Sequence, residues 1–313
     1  WALGANRTTP APYVVTSRDE TTGALFARNR WRPDFGDRVA FFDLSGQQHS
    51  MSGDRAAFLG PLGTIGQPAA LRDDDPLNGR LGAGMDLCGA LQTRIVWPPQ
   101  TQIELIFLLG DADSEAGARQ LVEIFRATTM DSVLADLATQ WNGLLDTVQV
   151  RTPDRAMDLL LNDWLLYQVL GCRLWARTAY YQASGAYGFR DQLQDVMALC
   201  VSRPDLAREH LLRAAGRQFA EGDVQHWWLP PKGQGIRTKI SDDRIWLAYV
   251  AMHYVGVTGD VAVLDEMLPF LTGQPIPDDA TDAFFQPGVA QQHVSVYEHC
   301  ALAVDTALTR GAH

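Results

Sequence analysis

The sequence predicts an α+β protein of several domains, with a β-rich first part and a helical second part. Up to about residue 110 the apolar runs are short, rich in Val, Phe, Ile and Thr, and separated by Gly, Pro and Asp, as in antiparallel strands. From Asp113 onward the apolar residues recur with helical spacing. At 313 residues the chain is long enough for about two domains of ordinary size.

The strand predictions rest on four runs in the first part. They are YVVTS (13–17), RVAFFDL (38–44), TRIVW (93–97) and QIELIFLL (102–109). β-Branched and aromatic residues fit the pleated, half-buried surface of a sheet, and the intervening Gly and Pro residues favour turns. We therefore predict a β domain over residues 1–112.

Two helices are predicted to form a linker over residues 113–150. Asp113 is suited to cap a helix at 114–127, because a carboxylate accepts hydrogen bonds from the free N–H groups of a first turn. In the next helix the apolar residues form one stripe at helical spacing. They are Val133, Leu137, Trp141 and Leu144.

Residues 151–313 predict a series of helices. Thr152 and Pro153 suit an N-cap and a first helical residue, and the segment 156–175 is apolar on nearly every side, as in a helix within a larger assembly. Further helical patterns cover 191–201, 204–219, 242–257, 261–271 and 293–310. Because no internal repeat is present, the pattern favours part of a barrel of helical hairpins over a solenoid, and a helical bundle is an alternative.

The composition excludes several classes of function. With 46% hydrophobic and 20% charged residues, the chain has the composition of a folded globular protein. Its net charge of -11 argues against a general nucleic-acid binder, which needs a basic face, although a local basic pocket can still bind a small anion. No apolar run reaches about 18 residues, so we expect no membrane contact by this chain.

The cysteines and the two termini bear on the compartment. Four widely spaced cysteines without a CxxC pair predict neither a zinc site nor a disulfide framework, and they fit a reducing compartment. The N-terminus lacks the basic-then-apolar form of a signal peptide, so we expect a cytoplasmic region. Because the chain begins at Trp1 and stops soon after a predicted helix, we also expect a longer parent protein.

Polar residues gather in two segments of the helical part, 175–195 and 221–243. Adjacent tryptophans can offer a flat apolar face to a sugar ring, while Asp, Arg and Gln side chains hydrogen-bond its hydroxyl groups. These segments therefore indicate a carbohydrate ligand. The candidate residues are Arg177, Arg190, Asp191, Gln194 and Asp195 in the first segment, and Trp227, Trp228, Asp242 and Asp243 in the second.

Each candidate also has a purely structural interpretation. Acids such as Asp191 and Asp195 suit the first turns of a helix, where the helix dipole favours negative charge, and Arg190 can simply pair with them. The tryptophans are as consistent with a core as with a ligand platform. A single histidine, His226, is more often structural than catalytic, and Arg177 suits an ion pair as well as a phosphate site.

Longer motifs resemble a known family. SGAYGFRDQLQDVMAL (184–199), REHLLRAAGRQFAEGDVQHWWLPPKGQGIRTKISDDRIWLAYV (208–250) and TGDVAVLDEMLPFL (258–271) are similar to segments of the inverting β-glycoside phosphorylases. That family includes cellobiose and chitobiose phosphorylases and the C-terminal phosphorylase-like region of cyclic β-1,2-glucan synthases. GDRAAFLGPLG (53–63) and the run from residue 82 to 121 resemble its N-terminal β domain, so the resemblance covers essentially the whole chain.

The resemblance implies a fold and a reaction. The fold would be the end of a β-supersandwich over residues 1–112, a helical linker, and about half of an (α/α)6 barrel over 151–313. The reaction would be attack of inorganic phosphate on the anomeric carbon of a β-linked sugar, which releases a sugar 1-phosphate with inverted configuration. Phosphate is already an anionic nucleophile, so one general acid suffices where an inverting hydrolase needs two carboxyl groups. No cofactor is implied, and phosphate is a co-substrate.

The resemblance also implies residue roles. Arg177 matches a phosphate-contacting Arg, and Asp191 matches an acid that binds the nonreducing-end sugar. The remaining matches are implied sugar-site or supporting residues: Arg190, Gln194, Asp195, Trp227, Trp228, Asp242 and Asp243. SGAYGFRD is shorter than its counterpart in cellobiose phosphorylases, so we expect a different sugar site. The GDWNDG-type motif that carries the family's general acid is absent, so we expect that acid beyond His313 and no catalytic activity in this chain alone.

The implied partners are a β-glucan or β-linked oligosaccharide and inorganic phosphate, and the resemblance further implies a homodimer. A glucan synthase parent would carry inner-membrane segments outside this chain. Two alternatives stay open: an (α/α)6 hydrolase, which requires a second carboxylate, and a noncatalytic carbohydrate-binding module.

Overall fold

The computed structural model describes residues 6, 8–31, 33–72, 75–177 and 185–308. The chain divides into two compact units, Trp1–Asp136 and Leu137–His313. Within the described residues, no helix combines the length and the apolar character that crossing a membrane requires. Those residues also contain no cluster of three or more His, Cys, Asp and Glu side chains arranged to hold a metal ion.

The first unit is built on an antiparallel sheet with the strand order β1-β2-β3-β6. The strands are β1 (Val14–Arg18), β2 (Leu25–Asn29), β3 (Val39–Asp43) and β6 (Leu108–Ala112). The strand predictions at 13–17 and 38–44 are confirmed. Two further strands, β4 (Ser50–Asp54) and β5 (Leu87–Gln92), form a separate antiparallel pair, and a short helix, α1 (Arg55–Leu59), follows β4.

Two strand predictions in this unit need correction. TRIVW (93–97) lies outside any strand, and Val96 and Trp97 are 88% and 69% exposed. No described strand pairs with this segment, so its β-branched residues have no cross-strand neighbours to stabilise an extended strand. In the run 102–109, pairing with β3 begins only at Leu108.

Helix α2 (Glu115–Ala127) packs on the first sheet and confirms the helix predicted at 114–127. Its N-cap is Ser114 rather than Asp113, because the Ser114 hydroxyl accepts the Gly117 N–H at 3.1 Å. Val122 buries against Phe26 and Phe41 of the sheet, in a small apolar core. The next helix, α3 (Met130–Leu145), contains the boundary between the two units.

In the second unit, α3 is followed by one long helical segment over residues 155–175. It comprises α4 (Arg155–Leu159), a π-helical stretch (Leu160–Trp164), α5 (Leu165–Gln168) and a second π-helical stretch (Val169–Trp175). Asp154, not Thr152, caps it, because the Asp154 carboxylate accepts the N–H groups of Ala156 and Met157. One side of the segment is buried, with Leu170 fully enclosed, whereas Trp164 is 53% exposed.

Four more helices follow in this unit. They are α6 (Phe189–Met197), α7 (Pro204–Ala215), α8 (Asp243–Thr258) and α9 (Val296–Ala307), close to four of the predicted helical patterns. Ser295 and Glu298 form a capping box that starts α9. The helix predicted at 261–271 is wrong: a 3-10 turn (Val261–Asp265) leads instead into a strand.

Two small antiparallel sheets lie between these helices. The first has the order β11-β9-β8-β7, and the second pairs β10 with β12. Their strands are β7 (Tyr187–Gly188), β8 (Gln225–Leu229), β9 (Gln234–Thr238), β10 (Met267–Thr272), β11 (Asp282–Phe285) and β12 (Gly288–Ser295). The polar segment 221–243 is therefore a β-hairpin followed by a helix start. Phe189, Leu193, Leu211 and Leu247 form the centre of the core of this unit.

Candidate functional site

Asp191 lies in the first turn of α6, directly after β7. Its side chain is 39% exposed, and its Oδ1 atom lies 3.8 Å from Nη2 of Arg173. Gly188 occupies the N-cap position of α6 and makes room for this carboxylate, because a Cβ atom there would lie 2.2 Å from Asp191 Oδ2. Ser184, which opens the sequence motif, lies outside the described residues.

Two ion pairs connect α6 to other segments of the unit. Arg190 Nη1 donates to Asp242 Oδ2 at 3.0 Å, which links α6 to the start of α8. Arg173 Nε donates to Asp195 Oδ2 at 2.9 Å, which links α6 to the long helical segment. The two pairs contain three of the predicted polar residues, Arg190, Asp195 and Asp242, and the contact between Arg173 and Asp191 adds a fourth.

Asp195 has the most unusual acidity of this group. Burial, with a smaller contribution from the nearby Asp191, raises the pKa of its carboxyl group to about 6 despite the opposing attraction of Arg173. Arg190 is opposite in character, since its hydrogen bond to Asp242 raises the pKa of its guanidinium. Gln194 is exposed on α6, and no described residue hydrogen-bonds its side chain.

The two predicted tryptophans are in different environments. Trp228 is 1% exposed and packs in the core, with its ring centroid 5.7 Å from that of Tyr187. Its ring therefore offers no open face to a ligand in this structure. Trp227 is half-buried on β8, and its ring lies 5.7 Å from that of Phe284 on β11.

Asp243 is buried at the first residue of α8 and holds His226. Nδ1 of His226 and Oδ2 of Asp243 are 2.6 Å apart. This hydrogen bond, with the charge of Asp243, raises the pKa of the His226 imidazole against the opposing effect of burial. The second carboxylate oxygen, Oδ1, is buried without a hydrogen-bond partner among the described residues. Asp243 is thus placed behind His226 rather than on the open surface.

Arg177 follows the long helical segment in a left-handed backbone conformation, with φ at 47°. Its Nε donates to the Gly185 carbonyl at 2.8 Å, and Nη1 reaches the Tyr187 hydroxyl at 3.2 Å. Nη1 also donates to the carbonyls of Leu174 and Trp175. No described group accepts a hydrogen bond from Nη2.

Basic residues that the sequence interpretation did not single out join Arg177 around Tyr187. The guanidinium carbons of Arg177 and Arg213 lie 4.6 and 4.7 Å from its ring centroid. Burial, together with the charges of Arg213 and Arg177, lowers the pKa of His210 to about 3, so this buried histidine is neutral. Arg217 stacks over Trp228 at 5.1 Å. This group gives the protein a local basic region in spite of its negative net charge.

His226 and Arg213 are the main additions from the structure. The partner of His226 is 17 residues away in sequence, and Arg213 of α7 reaches Tyr187 of β7, so no local motif identifies either contact. The arrangement provides carboxylates and donors suited to sugar hydroxyls beside a basic region suited to an oxyanion.

Comparison with known proteins also divides the chain into two parts, close to the two structural units Trp1–Asp136 and Leu137–His313. Residues 1–128 match the supersandwich domain of glycosyl hydrolase 94, and residues 140–313 match the catalytic domain of the glycosyl hydrolase 94 superfamily. The chain is 44% identical over 310 residues to the cyclic beta-(1,2)-glucan synthase NdvB of Rhizobium meliloti strain 1021, covering 99% of this chain and 11% of that protein.

More distant relatives are phosphorylases. The chain is 26% identical to an N,N'-diacetylchitobiose phosphorylase of Vibrio furnissii, over 86% of this chain and 35% of that protein. It is 30% identical to a solabiose phosphorylase of Paenibacillus borealis, over 69% of this chain and 27% of that protein. The chain thus spans about a tenth to a third of the length of these relatives. With a supersandwich match followed by a catalytic-domain match over more than half of its length, the chain belongs to the glycosyl hydrolase 94 superfamily.

Proposed function

We propose that this chain is the phosphorylase-like region of a larger glycosyl-transferring enzyme that acts on β-linked glucans, with a cyclic β-1,2-glucan synthase as the parent protein. The observation that carries the proposal is the 44% identity to NdvB, which extends over 99% of the chain. The phosphorylase relatives support the same type of chemistry. The proposal includes assembly as a homodimer, which the resemblance implies, and placement of the region in the cytoplasm, which the widely spaced cysteines and the N-terminal sequence suggest.

The proposed reaction is inverting phosphorolysis. A phosphate oxygen attacks the anomeric carbon of a β-linked glucose, the glycosidic C–O bond breaks, and the leaving oxygen takes a proton from a general acid. The product is a glucose 1-phosphate of inverted configuration. The general acid is proposed to lie in sequence beyond His313, so the 313-residue chain alone would not turn over.

Arg177 is the proposed phosphate contact. Its Nη1 and Nε are held by carbonyl oxygens and the Tyr187 hydroxyl, which fixes the plane of the guanidinium. Fixed N–H donors match an oxyanion through short charge-assisted hydrogen bonds. The nearby guanidinium of Arg213 adds positive charge to the same region. Phosphate is thereby attracted in a protein whose overall charge repels anions.

The sugar contacts are proposed to come from α6, β8 and the start of α8. Asp191 and Asp242 are exposed enough to accept hydrogen bonds from hydroxyl groups, and Gln194 can both donate and accept. Of the two predicted tryptophans, Trp227 is the half-buried one, whereas Trp228 is buried. Arg190 and Asp195 support these residues through their ion pairs, and the five helical segments of the unit would form about half of an (α/α)6 barrel.

The test uses a protein that continues through the complete catalytic domain. It is incubated with β-1,2-glucooligosaccharides with and without inorganic phosphate, and glucose 1-phosphate and free glucose are measured. Phosphate-dependent glucose 1-phosphate is the expected result. Glucose release without phosphate would point to a hydrolase, and sugar binding without any product would point to a binding module.

A second measurement tests Arg177 in the same protein. We expect Arg177→Lys to raise KM for phosphate, because lysine keeps the charge but loses the planar set of donors. Arg151→Lys, at an exposed position, provides the matched control. Equal KM values for phosphate in the two variants would show that Arg177 does not contact phosphate. Turnover by the 313-residue chain alone would contradict the proposed position of the general acid.

A further inference from the structure

His226 lies at an irregularity in β8. Gln225 pairs with Arg237 of β9 and Trp227 pairs with Ile236, so His226 is an extra residue between two consecutive pairs. Such a β-bulge bends the strand and redirects a side chain, and bulges are frequent beside active sites. Here it directs His226 toward the start of α8, where the imidazole hydrogen-bonds the Asp243 carboxylate.

The contact with Asp243 fixes the imidazole ring. Asp243 is only 1% exposed, and its Oδ2 atom lies 2.6 Å from His226 Nδ1, so Nδ1 carries a proton in either charge state of the ring. The His226 side chain is 31% exposed, and no described residue hydrogen-bonds Nε2. One nitrogen is therefore anchored while the other is available to a ligand.

The surroundings favour a polar, uncharged ligand group. His226 feels the charges of Asp243 and Asp191, which favour the protonated ring, and that of Arg190, which opposes it. Arg190 is itself paired with Asp242. The three carboxylates outnumber the two cations, Arg190 and a protonated His226, so this surface has no excess positive charge that would select an anion. A sugar hydroxyl, which both donates and accepts hydrogen bonds, suits this environment.

We propose that His226 is an additional sugar-binding residue, whose Nε2 hydrogen-bonds a hydroxyl group of the β-glucan and whose ring is positioned by Asp243. The inference rests on the proposed function, because the ligand class comes from it. Asp243 then acts through His226 as a positioning residue and does not touch the sugar. The bulge in β8 is the structural device that brings the imidazole to the surface shared by Asp191 and Asp242.

The proposal predicts a specific pH dependence. In the protonated ring Nε2 donates a charge-assisted hydrogen bond, whereas in the neutral ring Nε2 becomes an acceptor of ordinary strength. Because contact with Asp243 raises the His226 pKa, the stronger form persists to higher pH than in a free histidine. Affinity for the glucan should decrease as the pH rises through the titration of His226.

The experiment uses the protein with the complete catalytic domain and a β-1,2-glucooligosaccharide as the probe. Calorimetric binding and steady-state kinetics are measured for His226→Ala, His226→Gln and Asp243→Asn. His293→Ala, at an exposed histidine of β12, is the matched control, and Asp191→Ala tests the proposed sugar site independently. We expect His226→Ala to weaken oligosaccharide binding about tenfold, the upper range for one hydrogen bond.

The remaining expectations separate binding from structure. His226→Gln should recover part of the affinity because its amide can still donate, and neither His226 variant should keep the wild-type pH dependence of binding. KM for phosphate should not change. Unchanged oligosaccharide affinity in His226→Ala, alongside weakened binding in Asp191→Ala, would overturn the proposal for His226 alone. If His226→Ala weakened oligosaccharide binding but the wild type showed no phosphate-dependent turnover, the sugar-binding role of His226 would stand and the proposed phosphorolysis would be wrong.

Discussion

The backbone at Gly188 and the carboxylate of Asp191 approach so closely that a Cβ atom at position 188 would lie 2.2 Å from Asp191 Oδ2 and 3.2 Å from its Cβ. Gly188 has φ at -85°, a conformation that any residue can adopt, so its backbone does not require glycine. The glycine is required instead by the position of the neighbouring acid. Residue 188 thus controls where the proposed sugar-binding carboxylate points.

We predict that Gly188→Ala impairs function more than stability. The added methyl group must displace the Asp191 carboxylate, which is partly exposed and free to rotate, so the free energy of unfolding should change by only about 1 kcal/mol. Misplacement of a substrate-positioning group costs about 10- to 100-fold in kcat/KM. Denaturant unfolding and phosphorolysis kinetics, both measured on the protein with the complete catalytic domain, would compare the two effects.

Gly256 on α8 supplies the control for that comparison. Apart from its chain neighbours and the backbone of its own helix, a Cβ atom at this position meets no atom within 4 Å, and the residue is helical. Gly256→Ala should therefore stabilise the protein by about 0.5–1 kcal/mol and leave activity unchanged. If Gly188→Ala lowered stability strongly and left kcat/KM intact, the proposed role of Gly188 would be wrong.

Arg237 is expected to be among the residues most important for stability. It is 2% exposed, its Nε and Nη2 each lie 2.6 Å from a carboxylate oxygen of Asp223, and its guanidinium lies 3.9 Å from the Phe219 ring centroid. Arg237→Met leaves Asp223 partly buried without its partner, which costs about 3–5 kcal/mol. In urea unfolding, the double variant Arg237→Met with Asp223→Asn should be more stable than Arg237→Met alone. If the losses of the two single variants simply added in the double variant, the proposed importance of the pair would be wrong.

The acidity of Asp195 predicts a pH dependence of stability. Its folded-state pKa, about 6, is higher than the ordinary value of 3.8, so folding favours the protonated form. This contribution is complete below about pH 4 and is lost as the pH rises through 6, a difference of about 3 kcal/mol. Relative to Asp195→Asn, the wild type should therefore lose stability between about pH 4 and pH 7.

Urea unfolding at a series of pH values tests the prediction for Asp195. The exposed Asp305 on α9 is the matched control for removal of one negative charge, through Asp305→Asn. Parallel stability curves for the wild type and Asp195→Asn across this pH range would show that Asp195 titrates normally. We expect the stability curve of Asp195→Asn to diverge from that of the wild type, and the curve of Asp305→Asn to stay parallel to it.

The Arg190–Asp242 pair should add little to stability. The two side chains are 42% and 51% exposed, and exposed ion pairs contribute about 0.2–1 kcal/mol and are screened by salt. Asp242→Asn should lower the free energy of unfolding by less than about 1 kcal/mol at low ionic strength, with a smaller difference at high ionic strength. A loss of several kcal/mol, measured by chemical denaturation, would contradict the surface character of the pair.

Much of the helical architecture could be predicted from local sequence, because helical periodicity and capping depend on near neighbours. The helices at Glu115–Ala127 and Pro204–Ala215 begin within one residue of their predicted starts. The strand at Met267–Thr272 was instead predicted as helix. Its conformation is determined by pairing with Gly288–Ser295, a contact between distant segments that composition does not encode.

The candidate site was predictable only in part. The residues near the start of α6 follow from the GFRD motif, but the exposure of Asp191 and the burial of Asp243 depend on tertiary packing. The β8–β9 hairpin had a local signal, since two short apolar-containing runs flank the PPKG turn, and Gly233 there has φ at 76°. The bulge at His226 had no such signal, because it depends on the register between two strands.

The ion pairs around α6 also bear on attempts to change the specificity of this enzyme class. Arg190 depends on Asp242, Asp195 on Arg173, and His226 on Asp243, and in each pair the partners are at least 17 residues apart in sequence. Grafting one loop from a relative would therefore separate charges from their partners. Segments of the proposed site should be exchanged together, or libraries should vary both members of each pair at once.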